Sequence, residues 1–116
     1  MFEELGSLDG YQNNVEQYAP DIAESSVPAV AWAAMALTGE AGEVAEKVKK
    51  IYRDKGGQIT DDDRLAIAYE LGDTLWCVSH MACVLGYNLR TIAALNKKKL
   101  ASRAKRGTLC GEGDNR

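Results

Sequence analysis

The sequence predicts an all-α fold, and three observations support this prediction. Only two prolines, Pro20 and Pro28, interrupt the 116 residues, so long segments are free to form helices. Apolar residues in those segments recur at helical steps of three and four, and strand-like alternation of apolar and polar residues is absent. We therefore expect one domain, a four-helix-type bundle that assembles as a dimer or tetramer.

The N-terminal part of the chain predicts a lead-in and one short helix. Residues 1–10 form the lead-in and residues 11–19 the helix, which Pro20 ends. Ser25 and Ser26 come just before a second proline, and this order is typical of a capped helix start.

The second helix is expected to extend from these serines to Arg53, over about seven turns. Its first half, residues 30–37, is apolar nearly all round. A chain with only about three other helices cannot cover such a surface. We therefore expect Trp32, Met35 and neighbouring residues to be buried between chains of a dimer or a dimer of dimers.

Two further helices follow a loop that contains two glycines. The third is expected from about Asp61 to Leu85, and the fourth from a cap at Asn88 to about Lys105. Residues 107–116 form a polar, glycine-rich tail. Apolar residues of the third helix alternate steps of four and three, which is typical of a packing seam: Leu71, Leu75, Val78, Ala82 and Leu85.

Charge and cysteine content restrict the class of protein. The net charge of -3 argues against binding a nucleic acid polymer. Three cysteines without a C-x-x-C pair favour reduced thiols in a cytoplasmic, intracellular protein and disfavour a thiolate zinc site. The longest apolar stretch, residues 27–37, is about half a membrane span, and residues 1–6 do not resemble a signal peptide, so no membrane association is expected.

Four acidic side chains are the strongest functional signal. Glu40 and Glu43 lie three residues apart on the second helix, and Glu70 and Asp73 repeat this spacing on the third. Each spacing returns a side chain to nearly the same helix face, among apolar residues. If the two faces meet, the carboxylates form a site for a hard divalent cation, Mg²⁺ or Mn²⁺. The alternative is two pairs of ordinary solvated carboxylates.

Other residues with ligand chemistry carry weaker signals. His80 is the single histidine, so a di-iron carboxylate bundle and a triad hydrolase are both poorly supported, and a structural histidine is expected. Trp32 and Trp76 could stack a base, but their helical spacing favours the core. Glu46 is expected on the surface and Cys77 in packing.

A basic segment near the end of the fourth helix is the last signal. Its cations have no acid between them: Lys97, Lys98, Lys99, Arg103, Lys105 and Arg106. One interpretation is a helix end that complements its own dipole. The other is a phosphate clamp, in which Lys99 and Arg103 share a face because they lie four residues apart. Carboxylates with Mg²⁺ and a separate cationic group suit a polyphosphate ligand.

Three segments together resemble the MazG-type nucleoside triphosphate pyrophosphohydrolases: residues 39–46 (GEAGEVAE), 70–76 (ELGDTLW) and 96–108 (NKKKLASRAKRGT). The resemblance covers residues 30–113. It implies an all-α fold in dimers or tetramers, with Mg²⁺-dependent cleavage of a (d)NTP to the (d)NMP and pyrophosphate.

The resemblance also implies residue roles. It matches metal ligands to Glu40, Glu43, Glu70 and Asp73, and a nucleotide-contacting segment to Asn96, Lys99 and Arg103. Glu43 is the candidate to orient the attacking water. Gly39 stands where the family pattern often has another Glu, which leaves the number of metals open. Two alternatives remain: a non-catalytic nucleotide-binding or interaction module, and a metal-dependent hydrolase of another phosphorylated small molecule.

Overall fold

The computed structural model describes residues 6–20 and 28–113, and within them every regular element is helical. A 3₁₀ turn, Glu16–Tyr18, follows the first helix. The all-α prediction is confirmed, and none of the described helices combines the length and apolarity needed to cross a membrane. The helices are α1 (Leu8–Val15), α2 (Ala29–Lys55), α3 (Asp61–Val84) and α4 (Leu89–Lys105).

The boundaries of α3 and α4 agree closely with the prediction because local side chains define them. At the start of α3, the Thr60 side chain accepts a hydrogen bond from the Asp63 backbone N–H, and the Asp63 carboxylate accepts one from the Thr60 N–H. Asn88 caps α4 through its side chain. Gly86 and Gly107 follow the two helices with left-handed φ angles of 78° and 69°.

The first helix differs from the prediction at both ends. It begins at Leu8, inside the expected lead-in, because the Ser7 hydroxyl accepts a hydrogen bond from the Gly10 N–H at 3.0 Å. It ends at Val15, and the 3₁₀ turn takes the place of a last α-helical turn before Pro20.

The start of α2 lies next to residues that the structure does not describe. The expected capping serines, Ser25 and Ser26, fall outside the described residues. Pro28 occupies the cap position and makes no side-chain cap bond. The helix ends two residues later than predicted, at Lys55, where Gly56 has a left-handed φ of 60°.

Helices α2 and α3 form an antiparallel hairpin that dominates the fold. The pairing is evident from contacts at two levels, Lys47 with Glu70 and, further along, Trp32 with His80. Residues seven apart on a helix lie on nearly the same face, so Lys47 and Glu40 share the α3-facing row of α2. Charged residues thus occupy a seam that apolar residues usually fill.

Helix α1 holds the turn between α3 and α4. Gln12 is buried, its Nε2 lies 3.1 Å from the Tyr87 carbonyl oxygen, and its Oε1 accepts a hydrogen bond from the Leu89 N–H at 2.9 Å. One amide side chain therefore satisfies a carbonyl group of the turn and the first N–H group of α4.

The predicted seam of α3 is buried only in part: Ala82 is buried and Val78 half-buried, and both line a pocket with Leu37 of α2. Leu71, Leu75 and Leu85 remain 54%, 41% and 51% exposed. At the level of Leu71 and Leu75 the contact with α2 uses the neighbouring face, because Glu70 and Asp73 are rotated by about 100° per residue from the leucines. Among the described residues, the buried apolar side chains are few and mostly small: Ala33, Ile51, Cys77, Ala82 and Leu89.

Candidate metal centre

Three of the four predicted carboxylates converge between α2 and α3. Glu40, Glu70 and Asp73 each offer an oxygen, and these three oxygens lie within 4.8 Å of one another. Glu40 and Glu70 are half-buried, whereas Asp73 is exposed. The antiparallel hairpin sets the α3 pair opposite Glu40. Negative charges held this close repel one another unless a cation neutralises them.

The chemistry of this group fits a hard divalent cation. All three donors are carboxylate oxygens, which suit Mg²⁺ or Mn²⁺ better than a metal that prefers nitrogen or sulfur. In an octahedral Mg²⁺ site the ligand oxygens lie about 2.0–2.1 Å from the metal, so opposite oxygens are about 4 Å apart. Three ligands of one octahedron include at least two neighbouring pairs, whose oxygens are about 3 Å apart, so carboxylates that now lie within 4.8 Å of one another would move closer together when a cation binds.

Glu43 does not belong to this cluster. It lies one turn after Glu40 on α2, and its side chain is exposed. Three helical residues rotate a side chain by about 300°, so Glu43 is displaced by about 60° from the Glu40 direction. Its role as a ligand or as the group that orients water remains a prediction.

A lysine that the sequence analysis did not select lies beside the cluster. The Lys47 Nζ is 3.1 Å from Glu70 Oε1, and the Glu70 side chain is 18% exposed. Lys47 comes seven residues after Glu40, so the heptad spacing on α2 is the signal that could have identified it. Its ammonium group balances part of the negative charge.

A small pocket of about 190 Å³ adjoins the carboxylates. Two acidic and two tryptophan side chains contribute to its lining, which comprises Trp32, Ala36, Glu40, Asp73, Trp76 and Cys77. Burial, and then the charges of Glu40 and Asp73, raise the pKa of the Cys77 thiol. The thiol therefore stays protonated at neutral pH and is a poor metal ligand.

The tryptophans of this pocket contact His80, which is only 6% exposed. The rings of His80 and Trp76 are stacked, with centroids 5.2 Å apart and an interplanar angle of 4°. Trp32 meets the imidazole edge-on at 5.5 Å and 89°. The histidine is buried, as expected of a structural residue, and both tryptophans combine packing with exposure to the pocket.

The basic segment divides into exposed and buried parts. Asn96 and Lys99 line a separate pocket of about 420 Å³ on α4, together with Ile92 and Leu95. Arg103 is buried, at 7% exposure, although it was expected to share an accessible face with Lys99. Asn96 and Lys99 thus line a different pocket from Glu40 and Asp73.

Comparison with known proteins identifies the family. Residues 32–108 match the profile of the MazG nucleotide pyrophosphohydrolase domain. The chain is also 47% identical over 91 residues to the Gene 37 protein of Mycobacterium phage L5, covering 78% of this chain and 80% of that protein. No solved structure matches significantly.

The match spans more than half of the chain and includes the whole α2–α3 hairpin beyond Ala31, so the chain belongs to the MazG nucleotide pyrophosphohydrolase family. The resemblance inferred from the three sequence segments is confirmed. Membership indicates a hydrolase that acts on nucleotides, in a family in which metal dependence is typical.

Proposed function

We propose that this protein hydrolyses (deoxy)nucleoside triphosphates to the monophosphate and pyrophosphate with Mg²⁺, for which Mn²⁺ can substitute. The convergence of Glu40, Glu70 and Asp73 in a MazG-family hairpin is the observation that supports this proposal most directly. In the reaction, water adds across a phosphoric anhydride bond, and the products are a nucleoside monophosphate, pyrophosphate and a proton.

The chain's own carboxylates have separate roles in this proposal. Glu40, Glu70 and Asp73 hold the cation, which when bound supplies charge neutralisation for phosphate oxygens and acidifies water. Glu43, exposed one turn further along α2, completes the ligand set or orients the attacking water. Hydrolysis through attack at the α or the β phosphorus gives the same products.

Asn96, Lys99 and Arg103 are the proposed substrate-binding residues. Cationic and amide donors suit phosphate oxygens. Because Asn96 and Lys99 line a pocket on α4 rather than the acidic pocket, an oligomer that sets α4 of one copy beside the carboxylates of another would bring both groups to one substrate.

Self-association as a homodimer or homotetramer is part of the same proposal. The chain exposes 8748 Å², against roughly 6,200 Å² expected for a compact monomer of its mass. Large apolar side chains contribute to this excess, among them Met35 on α2 and Leu71 on α3. A standard specific interface buries about 800 Å² of each partner, so an interface of that size would account for part of the difference.

The test is pyrophosphate release from a panel of ribonucleotide and deoxyribonucleotide triphosphates, with Mg²⁺ and with excess EDTA. We expect EDTA to abolish release. Glu70→Gln and Glu43→Gln should each abolish turnover and weaken Mg²⁺ binding while the helical circular dichroism persists. Asp62→Asn, an exposed change elsewhere on α3, is the matched control and should retain activity.

Pyrophosphate release that survives EDTA, or full activity in Glu70→Gln, would contradict the proposal. Nucleotide binding without product release would identify a binding module. Release of a different product from another phosphorylated compound would identify a different metal-dependent hydrolase.

A further inference from the structure

The segment before the matched family domain contacts the wall of the acidic pocket. The match begins at residue 32, whereas α1 and the 3₁₀ turn lie within residues 8–18. The Trp76 indole N–H donates a hydrogen bond to the Val15 carbonyl oxygen at 3.0 Å. From the next residue, Glu16 Oε1 lies 2.9 Å from His80 Nδ1. The N-terminal segment therefore contacts both Trp76 and His80, whose rings pack against each other.

These contacts fix the orientation of the aromatic rings. A carboxylate accepts hydrogen bonds, so the short contact with Glu16 requires a proton on His80 Nδ1. The imidazole then packs flat on Trp76 and against the edge of Trp32. Because the indole N–H is also bound to Val15, Trp76 is held by one polar contact and one stacked face.

The contribution to stability does not explain why Glu16 and His80, a polar pair, are packed beside Trp76. Glu16 Oε2 and His80 Nε2 are both buried, and neither finds a hydrogen-bond partner in the part of the chain described here. Burying polar atoms without partners is costly, and an apolar pair of similar volume would pack without that cost. An orienting role for the pair accounts for this arrangement.

We infer that Glu16 and His80 are positioning residues that hold Trp32 and Trp76 as the stacking surface for the flat ring of a nucleotide. The inference rests on the proposed function and deepens it. Both tryptophans line the pocket that contains Glu40 and Asp73. Aromatic side chains stack any nucleobase, so this surface supplies binding with broad base tolerance rather than readout of a base edge.

The first experiment measures binding without catalysis. Tryptophan fluorescence of the full chain is titrated in EDTA with dAMP, dCMP, dGMP and dTMP. We expect saturable quenching in the wild type. Trp76→Leu should weaken monophosphate binding by about five-fold or more, the lower limit for one lost base–aromatic stack. Inorganic tripolyphosphate with Mg²⁺, which has no ring, should bind both forms equally.

The second experiment separates positioning from folding. Glu16→Ala should change the near-ultraviolet circular dichroism of the tryptophans and raise the KM for triphosphates by about five-fold, with kcat within about two-fold. Glu16→Gln retains an oxygen that accepts from Nδ1 and should restore both properties. Because Glu16 is one-third exposed, these variants are compatible with folding even if a Trp76 variant is not.

The results distinguish this inference from the catalytic proposal. Quenching that persists without any pyrophosphate release supports the stacking surface and removes the catalytic assignment. Pyrophosphate release without quenching by any monophosphate overturns the stacking surface. An unchanged near-ultraviolet spectrum and KM in Glu16→Ala, or equal loss of tripolyphosphate and monophosphate binding in Trp76→Leu, overturns it as well.

Discussion

At the scale of single residues, the ion pair between Lys47 and Glu70 controls the charge of the metal-free cluster. The pair is partly exposed, so its own contribution to stability is modest. Its larger effect is to place a positive charge against carboxylates that otherwise repel one another. Lys47 and a divalent cation therefore neutralise the same negative charge.

We predict that Lys47→Gln lowers the melting temperature in EDTA and enlarges the stabilisation by Mg²⁺, with about two- to five-fold tighter Mg²⁺ binding. Thermal unfolding with EDTA and with millimolar Mg²⁺ measures both effects. Lys49→Gln is the control, since Lys49 pairs with Glu46 on the same helix, and its Mg²⁺ response should match that of the wild type. An identical Mg²⁺ response in Lys47→Gln would show that the two cations do not compete.

The basic segment gives a second prediction at this scale. If Lys99 contacts phosphate, Lys99→Gln should lower kcat/KM by about ten- to a hundred-fold at an unchanged melting temperature. Lys98→Gln, exposed on the same helix, should cost little. Arg103→Gln should lower both kcat/KM and the melting temperature, because the guanidinium is buried. Equal kinetic effects at all three positions would remove the phosphate-clamp role.

The spacing in the sequence predicted Glu40, Glu70 and Asp73 correctly as a group that comes together. It could not separate Glu43 from them, because the direction of a side chain towards a partner helix depends on the packing angle as well as on the spacing. The burial of Arg103 was invisible for a related reason, since it depends on packing around the end of α4.

At the scale of elements, short-range side-chain bonds decided which boundaries could be predicted. The caps of α3 and α4 lie within three residues of the backbone groups that they satisfy, so the sequence alone predicted where both helices begin. The start of α1 is set by Ser7 in the same way, but no apolar periodicity drew attention to it. The partner of each face of α3 depends on the geometry of the hairpin, so the sequence did not show that Leu71, Leu75 and Leu85 of the predicted seam would stay exposed.

The cap of α3 also links the two helices and yields a prediction about pH. Asp63 accepts hydrogen bonds from the Lys55 ammonium at 2.7 and 2.8 Å and from the Thr60 backbone and hydroxyl. These contacts, Lys55 first, lower the pKa of Asp63 from 3.8 to about 2. Because the pKa of Asp63 is lower in the folded state than in the unfolded state, the ionised carboxylate stabilises the fold at pH values above the unfolded-state pKa. This stabilisation is lost as the pH falls from about 4 towards 2.

We therefore expect the melting temperature of the wild type to fall more between pH 4 and pH 2 than that of Asp63→Asn, which lacks the titrating group. Asp62→Asn is the matched control, because Asp62 is exposed in the same turn and its side chain makes no hydrogen bond within the described part of the chain. The decline in Asp62→Asn should parallel that of the wild type. Parallel declines in all three proteins would refute the assignment.

At the scale of the whole molecule, the chain is more extended than a compact domain of its length. Its radius of gyration is 17.1 Å, against about 13 Å expected for 116 residues. The apolar first half of α2 already predicted an uncovered surface from the sequence. The structure adds the exposed leucines of α3, so two adjacent helices present apolar side chains that one chain does not cover.

The final prediction concerns this uncovered surface. Burial of Met35 and Leu75 between copies would remove apolar area from water at about 25 cal/mol per Å² and would couple folding to association. We expect light scattering to show a dimer or tetramer at micromolar concentration and a melting temperature that rises with protein concentration. Met35→Glu and Leu75→Glu should each dissociate the oligomer and lower the melting temperature, because a buried unpaired carboxylate is strongly unfavourable.

The control for this prediction is Asp62→Asn, which should leave the assembly intact. A stable wild-type monomer at these concentrations would show that this apolar surface is not buried between copies of the chain. It would also require Lys99 and the carboxylates of one chain to bind the substrate without a second copy.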